Sequence, residues 1–195
     1  VIIKNNKRIN MSTRVSSATN LSATYFMRNF YSNNRDAMKS SKRKEYSITE
    51  LAYDDSTALH RAAKKLKNYK YSDDENTDNI RGTVMALVDT YNNSIDSASN
   101  SSSSSMKRYA KQLKKLAGKY SDELENIGIT INNDGTLKAN EELVKKADAD
   151  TLNSLFGNDN DFTSGLYRVS RQMSSSSYDD YYTSLRAGSN INLTL

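Results

Sequence analysis

The sequence predicts a mainly α-helical protein, an antiparallel helical hairpin or bundle, elongated and coiled-coil-like in its apolar spacing, with one short β-hairpin near residues 129–138. Three observations carry this. The 195 residues contain no proline, so the main helix breaker is missing. Two apolar stripes of matching length, Ile80 to Ile95 and Met106 to Ile127, flank a serine run. Two such stripes joined by a short link fold back on each other as an antiparallel pair. Finally, Gly128 is followed by the alternating segment Ile129-Thr130-Ile131, a turn sequence Asn133-Asp134-Gly135, and Thr136-Leu137-Lys138 as a return strand.

In chain order, residues 1–12 lack periodicity and read as a flexible arm, 13–186 as one helical domain, and 187–195 as a disordered tail. Val15, Ala18, Leu21, Tyr25, Phe26 and Phe30 fit a first helical stripe among weak helix formers, so that helix depends on packing. A polar, basic connector follows, with Lys39, Lys42, Arg43 and Lys44. Ser47-Ile48-Thr49-Glu50 is a capping box, in which the hydroxyl and the carboxylate satisfy free backbone N–H groups. It opens a helix in which Ile48, Leu51, Ala52, Leu59, Ala62, Leu66 and Tyr69 repeat every three or four residues, expected to end near Lys70.

The acids of Asp73 to Asp78 stand before the next helix, where its dipole favours negative charge. That helix carries Ile80, Val84, Leu87, Tyr91 and Ile95 at 4-3-4-4 spacing. Ser97 to Ser105 reads as a flexible turn. Met106, Tyr109, Leu113, Leu116, Tyr120, Leu124 and Ile127 make the returning stripe. After the hairpin, Asn140 is expected to cap a helix from Glu141 to Ala147, and Asp148 one that Gly157 closes. Asp161 is expected to cap the last helix, with Phe162, Leu166, Val169 and Met173 inward and Tyr178, Tyr181, Tyr182 and Leu185 continuing it.

Without cysteine the chain has no disulfide, thiolate metal site or thiol nucleophile. The apolar run at the amino terminus is too short for a signal peptide, and no window approaches a membrane span. Charge is uneven: residues 1–70 carry fifteen Lys and Arg against five Asp and Glu, and residues 71–195 thirteen against eighteen. His60 has Asp54 and Asp55 upstream, the raw material of a Ser-His-Asp set, but no nucleophile elbow presents a serine. Asp159-x-Asp161-x-Thr163 starts like a calcium loop but has Ser164 where the glycine belongs and Ser170 where the glutamate belongs. The expectation is a non-enzyme with no cofactor and no metal. The residues expected to form contacts between subunits are the stripe positions Tyr91, Tyr109, Leu113, Leu116 and Tyr120. The alternative is a basic helical module that binds nucleic acid or an acidic protein through Lys39 to Lys44.

Thr83 to Asn92, then Ile127 to Leu137, then Thr151 to Gly157 form an ordered set that resembles the carboxyl-terminal region of bacterial flagellar filament-capping proteins, the hook-associated family. That family has a valine- and tyrosine-asparagine-bearing helix, a glycine-isoleucine hairpin closing on aspartate-glycine-threonine-leucine, and a leucine-phenylalanine-glycine stop in this order. The similarity spans about residues 80–170, without the large domains the family inserts before its first matching helix. It implies a structural protein acting by helix packing between subunits, with a second copy or flagellin-type helical proteins as partners. It also implies a place outside the cell or at its surface, reached without a cleaved Sec signal. Without the resemblance the expectation is cytoplasmic.

Overall fold

The computed structural model describes residues 43, 45–71 and 77–189. The chain divides into two units, Val1–Glu45 and Tyr46–Leu195. The arm, the first stripe, the basic connector apart from residue 43, the acidic run at 72–76 and positions 190–195 of the expected tail lie outside the described residues. The second unit contains α1 (Ile48–Lys67), α2 (Thr77–Asn100), α3 (Ser104–Lys119), α4 (Ser121–Asn126), β1 (Ile129–Ile131), β2 (Leu137–Ala139), α5 (Glu141–Lys146), α6 (Ala149–Phe156) and α7 (Asp161–Ser189).

Helices α1, α2, α3 and α7 form a four-helix bundle in which α1 packs on α2 and α7, and α3 closes the ring between α2 and α7. The cross-links Ser56 to Ser177, His60 to Ser170 and Lys67 to Ser164 show that α1 and α7 run antiparallel. The mainly helical class and the single short hairpin expected from the sequence are both present. Each stripe residue of α2, from Ile80 through Val84, Leu87 and Tyr91 to Ile95, lies in the core.

Helix α1 starts at the Ser47 cap, the Glu50 backbone N–H donating to the Ser47 hydroxyl at 3.2 Å, which is the serine half of the expected capping box. It ends at Lys67, where the basic Lys64, Lys65 and Lys67 complement the dipole. Small hydroxyl residues meet along the α1–α7 seam, Ser56 and Thr57 on α1 and Ser174 and Ser177 on α7. Their hydroxyls do not go unpaired: Ser56 and Ser177 meet at 3.0 Å, and Thr57 and Ser174 at 2.8 Å. Small side chains let the backbones approach, and paired hydroxyls avoid the cost of buried unsatisfied donors.

The serine run behaves differently from the flexible turn expected. Helix α2 continues to Asn100 and α3 begins at Ser104, so only residues 101–103 link them. Ser97 is buried within α2, and its hydroxyl is satisfied by donating to the Asn93 carbonyl at 3.0 Å. The returning stripe is also not one helix. It breaks at Tyr120, φ −115° and ψ 29°, which ends α3 and starts α4.

Gly128, at φ +81°, stops α4, and a side chain there would overlap Leu143. In the hairpin, Ile129 pairs with Ala139 and Ile131 with Leu137. Of the three turn residues expected to take positive φ, only Gly135 does, at +81°. The Gly135 N–H donates to the Asn132 carbonyl and the Asn132 N–H to the Thr136 carbonyl. A right-handed turn followed by one left-handed glycine closes the hairpin in place of a two-residue mirror-image turn. Asn140 caps α5 and Asp148 caps α6 through side-chain oxygens. The cap of α7 is Asn160 instead of Asp161: the Phe162 N–H donates to its Oδ1 at 2.6 Å.

Candidate functional site

The five residues expected to mediate subunit contacts divide into two groups. Tyr91 and Leu113 are fully buried in the chain's own core, and Tyr91 donates its hydroxyl to the Gly135 carbonyl at 3.2 Å. Tyr109, Leu116 and Tyr120 are half-buried and pack against that core from outside. Closing the bundle therefore uses two of the five, and the other three keep a partly open surface.

The structure gathers a different aromatic group at the end of the bundle where α1 begins and α7 approaches its end. Tyr53 stacks on Tyr181 with ring centroids 5.8 Å apart and planes 8° from parallel, and meets Tyr178 at 5.6 Å. Tyr178 stacks on Tyr182 at 6.0 Å, and the Arg186 guanidinium lies over the Tyr182 ring. Tyr178, Tyr182 and Leu185 are each about half exposed, as are Tyr46 and Ile48 near the start of α1. The signal for this cluster was in the spacing. Beyond Met173 the inward position passes to Ser177. Tyr178, Tyr182 and Leu185, at 4-3 spacing, are thus a second apolar stripe turned away from the core.

Two shallow grooves run beside it along α1 and α7. One, of about 340 Å³, is lined by Tyr53, His60, Arg171, Ser174, Ser175 and Tyr178. The other, of about 360 Å³, is lined by Tyr167, Arg168, Arg171, Gln172 and Ser175. His60 is half-buried, its ring 4.6 Å from that of Tyr167 and its Nδ1 3.5 Å from the Ser170 hydroxyl. Ser170 is fully buried and donates to the Tyr167 carbonyl at 3.1 Å, so it is neither accessible nor activated as a nucleophile. The apparent Ser-His-Asp set is a packing contact. Thr163 of the calcium-like run is also buried, its hydroxyl donating to the Leu155 carbonyl, and cannot serve as a ligand. Among the described residues, no group of three or more His, Asp or Glu could hold a metal ion, and no helix is long and apolar enough to cross a membrane.

Burial lowers the pKa of His60 below 6.5, and the charges of Lys64, Arg171 and Arg61 push the same way. The folded protein therefore releases this proton more readily than the unfolded chain. Stability is at its full value above 6.5 and falls as pH drops through that value, where unfolded chains take up the proton first. Denaturation midpoints measured across this range are expected to fall for the wild type and to fall less for His60→Gln. Equal slopes would show that another group controls the acid limb. Asp54 and Asp89 are raised above the ordinary 3.8 chiefly by burial, so they hold their protons to higher pH than a free carboxyl does.

No known protein family, curated protein or solved structure matches the chain.

Proposed function

We propose that the chain is a non-enzymatic structural protein that assembles through its helical surfaces, similar to a flagellar cap or another flagellar axial component. The observation that carries the assembly reading is the stacked tyrosine cluster of Tyr53, Tyr178, Tyr181 and Tyr182 at one end of the bundle, in which Tyr178 and Tyr182 are exposed. Rigid aromatic side chains already stacked on one another present a large contact area at little further entropic cost, which is why tyrosines anchor protein interfaces. The flagellar part of the reading rests on the ordered set of motifs at 83–92, 127–137 and 151–157. It names a second copy or a flagellin-type helix as the partner, and the cell exterior as the place.

The test is light scattering over a concentration series at high salt, which screens ionic contacts and strengthens apolar ones. The wild-type mass is expected to rise with concentration. Tyr178→Ser combined with Tyr182→Ser is expected to weaken association by about tenfold or more. A wild-type chain that stays monomeric and also ignores flagellin-type helices would remove the proposal.

A further inference from the structure

Helix α3 carries six Lys and Arg and no Asp or Glu. At the helical pitch, Lys107, Arg108, Lys111, Lys114, Lys115 and Lys119 fall within an arc of about 140° and along about 18 Å of axis. That arc faces away from the buried Met106, Ala110, Leu113 and Ala117. Five of the six cations are exposed, and Lys114 is half-buried against Gly135. Two half-buried tyrosines lie beyond one side of the arc, where the Arg108 guanidinium reaches over Tyr109 and the Lys119 ammonium over Tyr120. The hairpin turn reaches this outer face at Gly135, beside Lys114, and the other five cations stay exposed.

The segment that follows has the opposite character. Residues 121–161 carry ten Asp and Glu against three Lys, a net charge of −7, and all ten acids are exposed. Their surface includes Leu143, 47% exposed beside Glu141 and Glu142. The outer face of α3 is thus basic with tyrosines to one side, and the following segment is acidic with an exposed leucine.

We infer that the basic outer face of α3 docks on the acidic 121–161 surface of a second copy of this chain. The inference rests on the assembly reading and adds a second contact to the tyrosine end. Charge complementarity selects the occupant. The unit Tyr46–Leu195 carries eighteen Lys and Arg against twenty-one Asp and Glu, a net charge of −3. A long polyanion laid along α3 would also meet the acids of the neighbouring −7 segment, whereas a second copy supplies exposed charge of opposite sign. Exposed ion pairs contribute little individually, so the charges set register and encounter rate, and Leu143 against Tyr109 and Tyr120 supplies the apolar contact. Because the two surfaces lie on different elements, the contact is either reciprocal in a dimer or repeated head to tail.

The test uses the full chain carrying Tyr178→Ser and Tyr182→Ser, which takes the aromatic end out of the measurement. In sedimentation at low salt this chain is expected to associate, and to dissociate as salt rises. Adding Lys107→Glu, Lys111→Glu and Lys115→Glu is expected to weaken association by about tenfold or more, and so is adding Glu123→Lys, Glu125→Lys and Glu142→Lys instead. An equimolar mixture of the two reversed chains is expected to regain association, because each then offers what the other lacks. That recovery also shows that both are folded. Absence of low-salt association, its persistence in either reversed chain, or a mixture that stays monomeric overturns the docking. So does an oligothymidylate probe that binds α3 and competes with self-association. None of these outcomes touches the high-salt association on which the assembly reading depends, so the two fail separately.

Discussion

Replacing Tyr91 by alanine is expected to produce the largest loss of stability of any single substitution considered for this chain, about 3–5 kcal/mol. Tyr91 is the largest of the fully buried side chains and stands in the middle of the α2 stripe, where the core of the bundle meets the hairpin. Removing its ring leaves a cavity that helices locked by their other contacts cannot close, and strands the Gly135 carbonyl that its hydroxyl reaches. A domain of this size has about 5–15 kcal/mol in all, so the variant is expected to sit near its unfolding threshold. Tyr91→Phe keeps the ring and loses only the hydroxyl contact, at a cost of about 0.5–1.5 kcal/mol. Urea denaturation of the two variants separates the contributions. A Tyr91→Ala chain nearly as stable as the Tyr91→Phe chain would mean that the ring does not hold the bundle together.

Tyr91 also controls part of the alkaline limb. Burial, helped by the charge of Asp134, raises its pKa well above 10, and burial raises Tyr71 in the same direction. The folded state holds these protons longer than the unfolded chain does, so their stabilising effect is complete below pH 10 and is lost as pH rises beyond it. Tyr91→Phe is expected to flatten the alkaline limb without abolishing it, since Tyr71 remains.

The bundle was legible because the residues that build it obey a local rule. The apolar stripe of α2 and much of that of α3 are periodic, proline is absent, and Ser47, Asn140 and Asp148 each cap a helix through contacts within three residues. What the sequence did not reveal is held by contacts between distant positions. Nothing local distinguishes Ser97 in a turn from Ser97 in a buried helical turn, because serine is a poor helix former and a good packer of close backbones. Tyr91 and Leu113 looked available for subunit contacts because a stripe cannot say whether its partner is in the same chain. In this fold α1 and α7 supply that partner. The tyrosine end was within reach of pattern reading, since Tyr178, Tyr182 and Leu185 leave the core stripe at helical spacing, but its stacking on Tyr53 joins positions more than a hundred residues apart.

Asn92 attaches the hairpin to the bundle alongside the Tyr91 hydroxyl on Gly135 and the buried Ile129 and Leu137, and Asn92→Ala is expected to loosen it. Asn92 faces Leu137 with both halves of its amide: its Nδ2 donates to the Leu137 carbonyl at 2.7 Å, and its Oδ1 accepts the Leu137 N–H at 2.7 Å. It thereby pairs with β2 as a neighbouring strand would, on the side of Leu137 away from β1. Alanine leaves a donor and an acceptor of a buried residue unpaired, at about 1–3 kcal/mol for each group. The hairpin has only three paired residues per strand, too few to stand alone in water. Local opening is therefore expected before global unfolding. Amide exchange at Leu137 should accelerate far more than exchange at Leu87 or Ile95 on α2. Asn92→Asp sharpens the reading: the carboxylate still accepts the Leu137 N–H but faces the Leu137 carbonyl without a donor, so it should retain part of the protection that alanine loses. Exchange that accelerates equally at Leu137 and along α2 in Asn92→Ala would show the hairpin and the bundle opening as one unit, and would remove Asn92 as the point where they separate.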